Sequence, residues 1–181
     1  MSIPSNKWEK DLQITPNADF WSQICRNFFS ISTNTNMHVI QYKIIHRVHY
    51  TGERMFKMGF ADSDICPHSS LNTTDTYMHA TWECTPVKQF WHNITDNLSL
   101  LMDFRILLLP SLCLLGDISN VNINITSRIM SIALIIAKKT ILMNWKSRHT
   151  SNITIWKNLL IEYISMEKLS AGIKKETNDI D

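Results

Sequence analysis

The chain has 181 residues, 44% of them hydrophobic and 19% charged, which excludes a solvated acidic or basic tail and suits one core of ordinary domain size. Its formal net charge of +2 is too small to argue for a nucleic-acid partner by itself, so such a partner has to be sought in local clusters. Four glycines and five prolines are too few turn residues for a sandwich or barrel of short strands, and the expectation is an all-α, irregular helical domain.

In chain order, Asn17 is placed to cap a helix whose apolar positions Phe20, Trp21, Ile24 and Phe28 fall at helical spacing. Thr35 or Asn36 opens a second, predicted over about 37–50, with Val39, Ile40, Ile44 and Val48 on one face. Thr51 caps a short helix that Gly59 is suited to end. A polar stretch from about 60 to 75 reads as loop, followed by a short helix from Asp75 to Cys84. Thr85-Pro86 reads as a hydroxyl cap with proline in the first turn of a helix carrying Val87, Phe90, Trp91, Ile94 and Leu98. Residues 104–118 are apolar around a central proline and predict a buried extended or broken segment. Two more helices are expected, about 127–146 and 152–169, with Gly172 ending the second and the polar tail 173–181 disordered. The divisions are N-terminal helices over 1–58, a knuckle-like segment over 59–86 and C-terminal helices over 87–172, packed as one unit.

The opening MSIPSNKWEKDL carries no basic stretch followed by an apolar core. The apolar run 129–137 is far short of the ~18 residues that span a bilayer. An intracellular chain with no membrane partner is therefore expected. In such a compartment the sequons at Asn72, Asn93, Asn97, Asn124 and Asn152 stay bare, and Cys25 and Cys113, set among apolar residues, read as small buried hydrophobes.

The most specific chemistry lies in ICPHSSLNTTDTYMHATWECTP, which places Cys66, His79 and Cys84 in the order Cys, His, Cys. Zinc takes about four nitrogen or sulfur donors in a tetrahedron, and a pair three residues apart commonly sits on one tight turn. The partner of Cys66 on such a turn would be residue 69, where Ser69 stands, a hydroxyl and a poor zinc donor. His68 is close enough to substitute, with an unusual bite. The plain alternative is a metal-free loop with two ordinary cysteines, and the chain as written is expected to carry well below one zinc.

Asp62 and Asp64 in FADSD imitate the paired aspartates that hold two Mg²⁺ ions in polymerases, but no upstream aspartate completes such a site. No glycine-rich phosphate loop, Ser-His-Asp set or Cys-His nucleophile pair occurs, so no catalytic residue and no small-molecule substrate is expected. Lys43, His46, Arg47, Arg54 and Lys57, interleaved with Tyr42, His49 and Tyr50, predict one basic face able to touch phosphates and stack on unpaired bases. Lys138, Lys139, Lys146, Arg148 and His149 form a second cluster. The plain reading of both is a solvated helix face, and that of the six tryptophans is core packing.

These stretches, QYKIIHRVHYTGERMFKMGFADSDICPHSS, DTYMHATWECTPVKQFW, LCLLGD and ALIIAKKTILMNWKSR, resemble in order the zinc-binding region downstream of the polymerase in vertebrate LINE-type (non-LTR) retrotransposon reverse transcriptases. That pattern is Cys-x-x-Cys, then His and Cys, then an aromatic-rich helix. The resemblance implies that Cys66, His79 and Cys84 occupy ligand positions and that Ser69 departs from the pattern. It implies a non-catalytic accessory segment that binds single-stranded RNA or DNA, without the polymerase and endonuclease domains. The rival reading is a helical scaffold or protein-interaction module, or a decayed reading frame, with no nucleic-acid role.

Overall fold

The computed structural model describes residues 3–31, 34–68, 72–119, 125–145 and 151–178. It is 68% helical with no sheet among the described residues, an all-α fold as expected. Its α-helices are α1 (Ser5–Leu12), α2 (Phe20–Ile31), α3 (Thr35–Ile45), α4 (Gly52–Lys57), α5 (Thr85–Met102), α6 (Ile125–Met143) and α7 (Ile153–Asn178). Two π-helical turns, His79–Glu83 and Ser111–Leu115, lie between α4 and α6.

α6 is the axis of the molecule. From Met130 to Lys138 every residue is buried, so the helix presents apolar surface all round and must be surrounded. α2, α3, α5, α7 and the Ser111–Leu115 turn supply that surround. Tryptophans fasten the layers, each burying a large ring while its indole N–H finds a carbonyl. Trp8 donates to Ile45 O at 2.8 Å, Trp91 to Thr81 O at 3.0 Å and Trp156 to Ala133 O at 2.9 Å. All three rings are essentially inaccessible, as the core-packing reading requires. Gln41 ties α3 to the 111–115 turn through its amide N–H₂, which donates to Leu114 O and Leu115 O, both at 3.1 Å.

Helix ends follow local chemistry, with some departures from expectation. Thr51 caps α4 by accepting from Arg54 N, and Gly59 ends that region at φ 74°, with Phe60 N donating back to Met55 O. Asn152 Oδ1 accepts from Thr154 N at 2.7 Å and opens α7. The cap of α3 is Asn34, which accepts from Asn36 N, rather than Thr35 or Asn36. That helix stops at Ile45, five residues early. Arg47 takes a left-handed φ of 51°, and Val48 N donates to Lys43 O across the turn, satisfying the last carbonyls. Cys84 occupies the N-cap position of α5 without a side-chain capping bond, with Thr85 and Pro86 already inside the first turn.

α7 does not end at Gly172 but runs to Asn178, so the helix covers most of the tail predicted over 173–181; residues 179–181 lie outside the described residues. One interior glycine costs a helix only ~1 kcal/mol, and IKKET is built of tolerable helix formers. Residues 105–109 are extended or irregular, and Pro110 leads into the buried turn carrying Leu112, Cys113, Leu114 and Leu115, a broken apolar segment as predicted. Cys113 is fully buried, whereas Cys25 is only partly so, and all four cysteines are free thiols. No described helix is long and apolar enough to cross a membrane.

Candidate metal centre

The Cys66 loop is pinned at its neck. An isolated antiparallel bridge pairs Ile65 with Thr74, with Cys66 N donating to Thr73 O at 2.9 Å and Asp75 N to Asp64 O at 2.7 Å. FADSD is thus the lead-in to this neck. Asp75 then accepts from Gly52 N at 2.6 Å at the start of α4. A Cβ on Gly52 would sit 2.9 Å from Asp75 Cβ, so glycine permits the approach that holds the loop against α4.

His79 and Cys84 come from the π-turn. In an α-helix, residues five apart point ~140° away from each other. Here Cys84 N donates to His79 O at 2.8 Å, closing a wider i→i+5 ring that brings both side chains to one side. The turn is set in place by Thr76 Oγ1, which accepts from His79 N at 3.1 Å, and by the Trp91 bond to Thr81 O.

The three side chains meet. Donor atoms of Cys66, His79 and Cys84 all lie within 4.8 Å of one another, and all three residues are buried, so they form a donor set able to hold a metal ion. The two sulfurs are 3.7 Å apart. Two thiolates bound to one tetrahedral zinc at ~2.3 Å are ~3.8 Å apart, so the observed spacing is that of the edge of a zinc tetrahedron. His79 Nε2 is buried without a hydrogen-bond partner among the described residues, and a bond to a metal would relieve the cost of such an unsatisfied atom. His68 N donates to Cys66 Sγ at 3.4 Å. Burial pushes the Cys84 thiol up to about 12, and the neighbouring Cys66 adds to the rise; a cation between the sulfurs would oppose both effects by stabilising the thiolates. The donor set therefore fits zinc in three positions. Ser69, the expected fourth, lies outside the described residues.

The basic residues are not brought to one face. Arg47 turns inward: its guanidinium lies 3.9 Å from the Trp8 ring centre and 5.3 Å from that of Tyr77, and it pairs with Asp11 at 2.5 Å. Its side chain keeps only 11% of its surface exposed, so it is a structural clamp between α1 and α3. His46 packs on Tyr42, and Lys57 pairs with Glu53 one turn away. Lys43 and Arg54 are exposed, and Arg54 lies 4.8 Å above the Tyr50 ring. Lys138 of the second cluster is wholly buried, its ammonium donating to Leu114 O at 3.3 Å, while Lys146, Arg148 and His149 lie outside the described residues.

A feature with no signal in the sequence is a cavity of about 820 Å³ beside the metal centre. Cys66 and Cys84 form part of its wall, with Lys43, His49, Tyr50 and Trp145 among the remainder. Trp145 Nε1 donates to Tyr50 O at 2.7 Å, joining the end of α6 to the turn before α4, and its ring packs on His49. These contacts between residues about a hundred positions apart create the hollow.

No protein-family model matches this chain, and no curated protein does. The site is therefore read from its own geometry.

Proposed function

We propose that this chain is a non-catalytic, zinc-clamped helical module that contacts single-stranded nucleic acid, as an accessory segment of a retrotransposon reverse transcriptase. The observation that carries the metal part is the 3.7 Å spacing of the Cys66 and Cys84 sulfurs with His79 in reach of both. Zinc suits two thiolates and an imidazole better than Mg²⁺ or Ca²⁺, which prefer oxygen donors. Held there, it supplies charge to neutralise two thiolates and joins the loop neck to the start of α5. With three protein donors the affinity falls below that of a four-donor knuckle, for which zinc binding is worth ~10–16 kcal/mol.

The nucleic-acid part rests on the resemblance of the ordered motifs, on Lys43 and Tyr50 in the wall of the cavity beside the knuckle, and on Arg54 4.8 Å above the Tyr50 ring. Cations next to an exposed ring suit a phosphate and an unpaired base. The inward commitment of Arg47 favours the rival scaffold reading at that position.

Two measurements test the proposal. Titration of the metal-stripped protein with Zn²⁺ should saturate at one ion per chain, and Cys84→Ser should abolish uptake; uptake that survives Cys84→Ser would place the ion elsewhere. Filter binding of single-stranded RNA across a salt series should show a log-log slope of at least ~1.4, two phosphate contacts' worth. Absence of binding at low salt would leave the scaffold reading in its place.

A further inference from the structure

Two sulfurs close enough to share one metal ion are also close enough to bond to each other. Cys66 and Cys84 are free thiols 18 positions apart in the chain, with their sulfurs in contact at 3.7 Å. Their backbones are held from both sides: Cys66 N donates to Thr73 O in the loop neck, and Cys84 N donates to His79 O in the wide turn. Closing the sulfurs to a bond of ~2.05 Å is therefore left to small side-chain rotations. The other two thiols, Cys25 on α2 and Cys113 in the 111–115 turn, have no sulfur partner among the described residues. Cys66 and Cys84 both line the cavity of about 820 Å³, so a small reagent has a route to them although each is almost fully buried.

We propose that Cys66 and Cys84 are a redox pair, which a low-molecular-weight disulfide oxidises to an intramolecular Cys66–Cys84 disulfide that takes both sulfur donors away from the metal. The bond ties the loop neck to the start of α5, the two points that the metal would join. Exclusion of the metal rests on the metal reading above; formation of the disulfide does not. In the first step the Cys66 thiolate attacks the S–S bond of the reagent, forming a mixed disulfide and expelling one thiolate, which takes up a proton. Cys84 then releases its proton, attacks Cys66 Sγ and expels the second thiolate, which is protonated in turn. The two cysteines lose two electrons and two protons, and the reagent becomes two thiols. Burial, the neighbouring Cys66 and Asp75 all oppose the Cys84 thiolate, which assigns Cys84 the second attack. That step is intramolecular between sulfurs already in contact, which offsets the scarcity of the thiolate. In a reducing compartment such a disulfide is transient and follows the redox poise.

Peptide mapping tests it. The full chain, stripped of metal, is incubated with bis(2-hydroxyethyl) disulfide, free thiols are blocked in denaturant, and the digest is weighed by mass spectrometry. The peptides carrying Cys66 and Cys84 should be recovered joined, two hydrogens lighter than their sum. In Cys84→Ser, Cys66 should stop at the mixed disulfide with the reagent. Recovery of Cys66 and Cys84 as blocked thiols in the parent, or each as a separate mixed disulfide, overturns the proposal. The oxidised chain should take up no Zn²⁺ and regain uptake after reduction with dithiothreitol; uptake indifferent to the disulfide overturns the exchange. Zn²⁺ added before the reagent should slow disulfide formation about tenfold or more, since bound thiolates are withdrawn from attack. A disulfide that forms equally fast with and without Zn²⁺ leaves the redox pair standing and defeats the metal reading instead.

Discussion

The guanidinium of Arg47 lies 3.9 Å from the centre of the Trp8 ring, above a tryptophan that is itself completely buried and bonded to Ile45 O. Asp11 on α1 closes the arrangement from the same helix as Trp8, so one cation holds the N-terminal helix against the end of α3. Arg47→Ala removes a cation–π contact and a charge-assisted hydrogen bond and leaves a gap over the ring. A loss of ~1–3 kcal/mol in unfolding free energy is expected, read by urea denaturation. Arg47→Lys should recover little of it, since an ammonium lacks the planar face that lies on the indole. A variant as stable as the parent would show that the guanidinium is dispensable to the core.

Nucleic-acid contact, if made, should pass through Lys43 and Arg54. Replacing each by Ala should weaken single-stranded RNA binding and flatten the log-log salt slope by ~0.7 per lost phosphate contact. Lys57→Ala should do less, because its ammonium is already engaged by Glu53. Equal slopes for the parent and the Lys43/Arg54 double variant would exclude this surface.

The serine at position 69 should govern zinc occupancy. As written, the chain should purify with well under one zinc, measured by atomic absorption, and fill only on titration. Ser69→Cys adds a soft, charged donor in the Cys-x-x-Cys position and should bring occupancy close to one and raise the thermal midpoint. A full complement of zinc in the unmutated protein would mean that another side chain already completes the site.

Stability should rise between pH 7 and 9. Burial lowers the Lys138 pKa from its ordinary 10.5 to about 7, so in this window the unfolded chain holds a proton that the folded chain has released. Wherever the unfolded state binds more protons, stability increases with pH, here by on the order of 2 kcal/mol over the window. Burial raises Cys113, and in the metal-free chain Cys84 as well, from 9.0 to about 12, which has the opposite sign: above pH 9 the folded chain holds two thiol protons that the unfolded chain releases, together outweighing the rise from Lys138, and stability falls. A maximum near pH 9 follows. Lys138→Met should remove the rising limb, and denaturant midpoints across the pH range measure both. A flat profile in the parent would mean that the ammonium stays charged in the core.

Much of this molecule is determined by short-range chemistry that is readable along the chain. Scarce glycine and proline, helical apolar spacing and the residues Thr51, Gly59 and Asn152 specify helices and several of their ends, because caps and left-handed turns depend on neighbours within a few positions. The order Cys66, His79, Cys84 likewise marks a donor set before any fold is known. Only the tertiary structure decided which polar groups face inward. Spacing alone puts Arg47 on the solvent face of a helix, yet the chain turns at that residue and Trp8, 39 positions earlier, offers its ring there. Lys138 follows an apolar run that looks like the end of a buried stretch, yet α6 is enclosed for another turn. The cavity between Tyr50 and Trp145 likewise arises from contacts between distant segments, and the wide turn that sets Cys84 beside His79, though local, departs from the ordinary helical spacing that sequence periodicity assumes. Periodicity records the preference of a residue for water or core, but the environment that meets its side chain is supplied by elements far away in the chain, and that is fixed only when they pack.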